Sequence, residues 1–267
     1  MMLAMISGGI DLSIGYMASL CGIVAAMLMN NMNVNFIVSI IAAILVGTLC
    51  GALNGILSNK LKIHTMIVTL ATMTLFQGLS YIISQSKSFS SLPAAFKFIG
   101  QGYLGNLPVS IFALIAIVAV VSFILNKTHY GRYVYAIGGN PDAAHLAGIN
   151  VERVRLRTFA LNGALVGLAA VLLISRSGSA SSAMGTSLQF DSITACILGG
   201  VSFTGGSGKV SNAVLGVLCL GVLSNGMQLI GWGIYVQYVV KAILLVIAIA
   251  FDMYTKNKVL ADDAANG

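Results

Sequence analysis

Residues 36–58 read FIVSIIAAILVGTLCGALNGILS, an uncharged run with glycines at 47, 51 and 55. About 20 apolar residues in a helix cross the ~30 Å of hydrocarbon in a bilayer. Lipid offers no partner to backbone N–H and C=O groups, so a run of this kind must be a helix or a strand of a closed barrel. Barrel strands alternate apolar and polar residues, and this run does not. It is a transmembrane helix. Similar runs at roughly 14–30, 64–84, 108–126, 158–175, 189–206, 210–230 and 233–252 bring the expected number of spans to eight. Met1–Ile6 is too short to cross, lacks a basic flank and a cleavage site, and reads as the tail of a partial span that begins upstream.

The whole chain fits that reading. It is 58% hydrophobic and 8% charged, with a mean hydropathy of +0.95, which excludes an ordinary soluble domain. The fold class is all-α, a polytopic transmembrane helix bundle forming one domain over 1–267. A net charge of +7 raises nucleic-acid binding, but the cations sit at the edges of apolar runs, so no nucleic-acid partner is expected. Cys21, Cys50, Cys196 and Cys219 lie inside apolar runs without paired spacing, and His64, His129 and His145 are far apart. No metal, cofactor or catalytic residue is expected from them.

One stretch interrupts the apolar pattern. Residues 127–157, KTHYGRYVYAIGGNPDAAHLAGINVERVRLR, form a basic loop between two spans. If this loop is cytoplasmic, alternation also puts Lys60, Lys62, Lys209, Lys256 and Lys258 inside and leaves Lys87, Lys97 and Arg176 outside. The positive-inside rule selects that orientation, with a cytoplasmic C-terminus in a plasma (inner) membrane. Within the loop, Asn140 can cap a helix, Pro141 suits its first position, Asp142 favours its positive end, and Gly148 can stop it. The result is a short helix over Asn140–Gly148 with His145 and Leu146 as exposed knobs. Such a helix either docks on a cytosolic partner or lies at the interface as a linker.

Other polar positions lie in or beside spans. Asp11, in SGGIDLSIG (7–15), can cap a half-helix beside a solute pathway or an ordinary helix at the cytosolic surface. Gln237, Tyr238 and Lys241 share helical spacing on the last span, and an intramembrane lysine is either functional or structurally paired. Asn54, Gln77, Asn225 and Gln228 suit hydroxyl-bearing solutes or interhelical hydrogen bonds. Gly47, Gly51 and Gly55, like Gly163 and Gly167, recur every four residues as helix-contact stripes do. Residues 198–209, LGGVSFTGGSGK, superficially resemble a phosphate loop, but Phe203 and Val210 occupy positions that need Gly and Ser or Thr.

Several stretches together resemble the permease subunits of ribose-type (monosaccharide) ABC importers. They are GGIDLSIG (8–15), NGILSNKLKIHTMIVTLATM (54–73), 131–176, 190–217 and the closing YVQYVVKAILLVIAIAFD (235–252). The resemblance implies an importer permease that forms the translocation path. A cytosolic ABC ATPase subunit would drive it, a second permease subunit would pair with it, and an extracytoplasmic solute-binding protein would deliver the sugar. It also makes Asn140–Gly148 the coupling helix and marks the chain as shorter at its N-terminus than the family's usual permease. Asp11, Asn54, Gln77, Asn225, Gln237 and Lys241 are then candidate path residues. The rival reading is an ion-coupled secondary transporter, which needs membrane-embedded carboxylates; Asp11, Asp191 and Asp252 come near that requirement.

Overall fold

In the computed structural model, which describes residues 1–266, nearly all regular secondary structure is helical. They are α1 (Met2–Ile6), α2 (Ile14–Asn31), α3 (Phe36–Leu61), α4 (Thr65–Ser84), α5 (Ala94–Gln101) and α6 (Val109–Lys127). After a small hairpin of β1 (Tyr103–Leu104) and β2 (Leu107–Pro108) ahead of α6, the chain continues through α7 (His129–Gly139) and α8 (Pro141–Leu146). It closes with α9 (Val151–Ser177), α10 (Leu188–Leu198), α11 (Val210–Leu229) and α12 (Ile234–Asn266). Among the described residues, 7 helices are long and apolar enough to cross a membrane: α2, α3, α4, α6, α9, α11 and the Ile234–Lys256 part of α12.

The segment expected as a span at 189–206 differs. It holds the 11-residue α10, about 16 Å long and too short to cross alone, followed by irregular backbone over 199–209. Its glycines explain the break. Gly200, Gly205 and Gly206 sit at φ of +83°, +95° and +76°, a region closed to most side chains. The stretch that echoed a phosphate loop is therefore a packed knot. Gly206 N donates to Ile6 O at 2.9 Å, Tyr135 Oη donates to Gly208 O at 2.7 Å, and Phe203 N donates to Asp252 Oδ2 at 3.0 Å. Lys256 adds a bond to Thr204.

The connection 85–107 between α4 and α6 contains a helix. Its α5 docks on the end of α9: Gly100 N donates to Ser175 Oγ at 2.7 Å, and that hydroxyl donates to Phe96 O at 2.7 Å. Helix α6 begins at Val109, directly after Pro108, where the span at roughly 108–126 was expected to start.

At the centre, α3 and α9 touch backbone to backbone. A Cβ on Gly47 would stand 2.3 Å from Gly163 O, one on Gly51 2.1 Å from Phe159 O, and one on Gly163 2.0 Å from Gly47 O. The two glycine stripes read from the sequence face each other. Between apolar helices in lipid, such close packing supplies association that burial alone does not. Leucine at Gly51 or Gly163 is expected to force these helices apart. Detergent extraction followed by size-exclusion chromatography should then show aggregated or degraded protein, against a single sharp peak for the unaltered chain.

Candidate functional site

Between α1 and α2, residues 7–13 leave helical geometry, and their backbone groups need partners from elsewhere. Two threonines of α4 provide them. Thr65 Oγ1 accepts from Ile10 N at 3.2 Å; Thr69 Oγ1 accepts from Leu12 N at 3.1 Å and donates to Ile10 O at 3.1 Å. Asp11 lies in the middle and is fully buried, not at a surface. Its Oδ1 accepts from Ser13 Oγ at 2.6 Å and Ser13 N at 3.1 Å, which opens α2. Asn54 Nδ2, from α3, reaches Ser13 Oγ at 2.8 Å and Asp11 Oδ1 at 3.4 Å. Asn162 Nδ2, from α9, donates to Asp11 Oδ2 at 2.9 Å. A buried carboxylate is tolerable only when its lone pairs are met, and here neutral donors from two other helices help meet them.

Asn54 carries a cost. Its Oδ1 is buried without a hydrogen-bond partner. Turning the amide over would aim that carbonyl at the Asp11 carboxylate, which is worse. The orientation therefore follows from the charge. Asp11 and Asn54 thus belong to one network, and Asn162, which the sequence reading did not single out, completes it. Its signal was position: it adjoins Gly163 in the stripe that meets α3.

A second polar centre lies on α10 and α12. Lys241 Nζ stands 3.0 Å from Asp191 Oδ1, with 20% and 33% of the two side chains exposed. Both line a cavity of about 430 Å³ together with Thr186, Phe190, Thr194 and Tyr238. The other expected path residues lie apart from these two centres. Gln237 is buried and donates to Trp232 O at 3.1 Å, Gln77 is half-buried, and Asn225 and Gln228 are exposed on the outer face of α11.

The third centre is the basic loop. Helix α8 forms as its residues predict: Asn140 Oδ1 accepts from Asp142 N and Ala143 N, both at 3.0 Å, with Pro141 at the first position. Gly148 ends it at φ +83°. Leu146 is 88% exposed, and Asp142 and His145 are exposed beside it. The sequence reading missed α7, which carries α8. Thr128 caps it, its Val134 and Ile137 are buried, and Gly138 packs so tightly on Ile6 and Gly206 that no side chain fits. Burial pushes the Tyr135 phenol above its ordinary range, which keeps it protonated as the donor to Gly208. Beside α8, Lys62, His64, Asp142, His145, Glu152 and Arg155 line a groove of about 860 Å³.

Removing the Asp11 carboxylate should loosen α2, α3 and α9 together. Asp11→Ala leaves Asn162 Nδ2 buried without its acceptor and removes the longer of the two Asn54 bonds, the one to Ser13 Oγ remaining, at about 1–3 kcal/mol for the orphaned amide. A clear drop in the thermal midpoint of the detergent-solubilised protein is expected, with a smaller one for Asp11→Asn. Fluorescence-detected size-exclusion after heating measures both.

Comparison with known proteins identifies the family. Residues 1–249 match the family described as "Branched-chain amino acid transport system / permease component". The chain is 40% identical over 255 residues to the ribose import permease protein RbsC of Bacillus subtilis, covering 94% of this chain and 79% of that protein. It is 38% identical to the L-arabinose transport system permease protein AraH of Escherichia coli, covering 95% and 77% respectively. The ribose import permease protein RbsC of Haemophilus influenzae is 36% identical, over 94% of this chain and 79% of that protein. No solved structure matches. With seven apolar helices and a family match over nearly its whole length, the chain is a multi-pass membrane protein that belongs to this transport-system permease family.

Proposed function

We propose that the chain is the permease subunit of an ATP-driven, binding-protein-dependent importer of a monosaccharide, with a pentose such as ribose or arabinose as the solute. The observation that carries this is the similarity to ribose and arabinose permeases over more than nine-tenths of the chain. The protein supplies a path and performs no chemistry; a separate cytosolic ATPase hydrolyses ATP, a second permease completes the path, and an extracytoplasmic protein delivers the sugar. The domain is a single one, and the loop 127–157 is its coupling element.

The placement of cations supports a cytoplasmic position for that loop. Lys62 and Arg155 share the groove beside α8, while Tyr135 and Lys256 both hold the 199–209 knot, so the basic connections gather at one end. Lys97 and Arg176 meet at the other: Gln101, one turn from Lys97, donates to Arg176 O at 3.0 Å. Ten of the 14 cations lie at the first end, and the positive-inside rule then supports a cytoplasmic reading for that end and for the C-terminus. Leu146 and His145 of α8 then present an uncovered knob to the ATPase, with Asp142 beside them. Nucleotide-driven movement of the ATPase pulls on α8, and the helices behind it switch between outward- and inward-facing arrangements as rigid bodies.

Asp142→Arg with Leu146→Glu reverses the chemistry of the knob at exposed positions. Membrane insertion is expected to be normal while co-purification of the ATPase falls at least tenfold. Normal recovery of the ATPase would remove α8 from the coupling role. Site-directed labelling of a cysteine at position 145 provides the topological check: reactivity from the inner side alone is expected.

A further inference from the structure

The ion pair of α10 and α12 has unused hydrogen-bonding capacity. A carboxylate offers about four acceptor sites and an ammonium three donors. Among the described residues, the side chains of Asp191 and Lys241 contact no polar partner but each other. Both face the cavity of about 430 Å³ between α10 and α12, and both also border a second cavity of about 290 Å³ lined by Ser192, Leu220 and Ser224. The pair lies in the wall that the two cavities share.

Its position is unusual for charges held only for stability. Lys241 lies about two turns into α12, where an unpaired ammonium is costly to place in hydrocarbon. Asp191 offsets the charge, but a pair of apolar residues would remove the cost altogether. The pair presents fixed acceptors and donors with no net charge, the chemistry that suits a neutral polyol better than an ion. Two aromatic rings flank it: Phe190, 55% exposed on α10, and Tyr238, 47% exposed on α12. Aromatic faces meet the C–H face of a sugar ring while charged groups bind its hydroxyls. The Phe190 ring has no role in core packing at that exposure.

We propose that Asp191 and Lys241, flanked by Phe190 and Tyr238, form a sugar-hydroxyl subsite on the translocation path. The carboxylate accepts from one hydroxyl, and the ammonium donates to the oxygen of its neighbour. The solute inserts at the pair and passes from one cavity to the other as the pair opens. This assignment rests on the monosaccharide reading above.

Two measurements test it. Saturation-transfer NMR on the permease in nanodiscs, with D-ribose and L-arabinose as probes, is expected to show a weak signal. Asp191→Asn and Lys241→Gln should each cut that signal at least fivefold, and Phe190→Ala, on an exposed ring that cannot unfold the chain, should cut it severalfold. Uptake of the same sugars by cells expressing the complete importer is the second readout. The swap Asp191→Lys with Lys241→Asp restores the ion pair and the yield of folded protein, yet should leave uptake at least tenfold down, because donors and acceptors have traded places. Uptake restored by the swap would make the pair a structural tie and overturn the subsite. Sugar uptake by cells without any NMR signal on the permease, or signals unchanged in the variants, would overturn the subsite and leave the importer reading intact. Uptake of neither sugar by the unaltered importer would overturn the pentose reading and the subsite with it.

Discussion

The break in the helical ladder between α1 and α2, across residues 7–13, dictates how the interior is assembled. Backbone groups that leave the helical ladder in an apolar surrounding must be met by specific partners, since neither lipid nor packing alone can satisfy them. Thr65 and Thr69 meet them from α4, and the Asp11 carboxylate gathers Ser13, Asn54 and Asn162. One break in one segment thereby fixes the relative positions of α2, α3, α4 and α9. A hydrogen-bonded network of this kind is intolerant of partial loss, because each orphaned member keeps its full desolvation cost.

Helix α9 then carries that order along the molecule. Over its 27 residues, about 40 Å, it passes Arg155 at the α8 groove, Phe159 against Gly51, Asn162 at the buried carboxylate and Ser175 under α5. A helix held at four levels joins the α8 groove, α3 and α5, with the α3 contact at its middle. The glycine stripe makes that contact close and specific, so that α3 and α9 are expected to travel together.

Much of this was legible in the residues. The long spans were plain because lipid imposes a length and a composition, and helix α8 was plain because Asn140, Pro141 and Gly148 act locally. The facing glycines of α3 and α9 were legible as contact stripes, although spacing does not name a partner. What could not be read was long-range pairing. Asp191 appeared as a carboxylate at a span edge and Lys241 as a lone intramembrane cation; only folding α10 against α12 joins them. Helix α7 was hidden because its sequence, HYGRYVYAIGG, is glycine-bearing and charged, and its helicity rests on packing against Ile6 and the 199–209 knot. The 189–206 segment misled for the converse reason: apolar composition there serves protein contact, and its glycines serve turns.

The disposition of the carboxylates also bears on what can power this molecule. A transporter driven by H⁺ or Na⁺ needs an embedded carboxylate free to exchange its ion as the path opens and closes. Asp11 is bound by donors from its own turn and from two other helices, Asp252 holds Phe203 N in the knot, and Asp191 is neutralised by Lys241. Protonating the first or second would break contacts that position several elements, and a cation at the third would have to displace a lysine. Each of the three is therefore engaged by a partner in the fold, unlike the free carboxylate that ion coupling requires. The Asp191–Lys241 pair borders two cavities and carries no net charge, so at the proposed subsite a neutral solute meets it without breaking the Asp11 and Asp252 contacts.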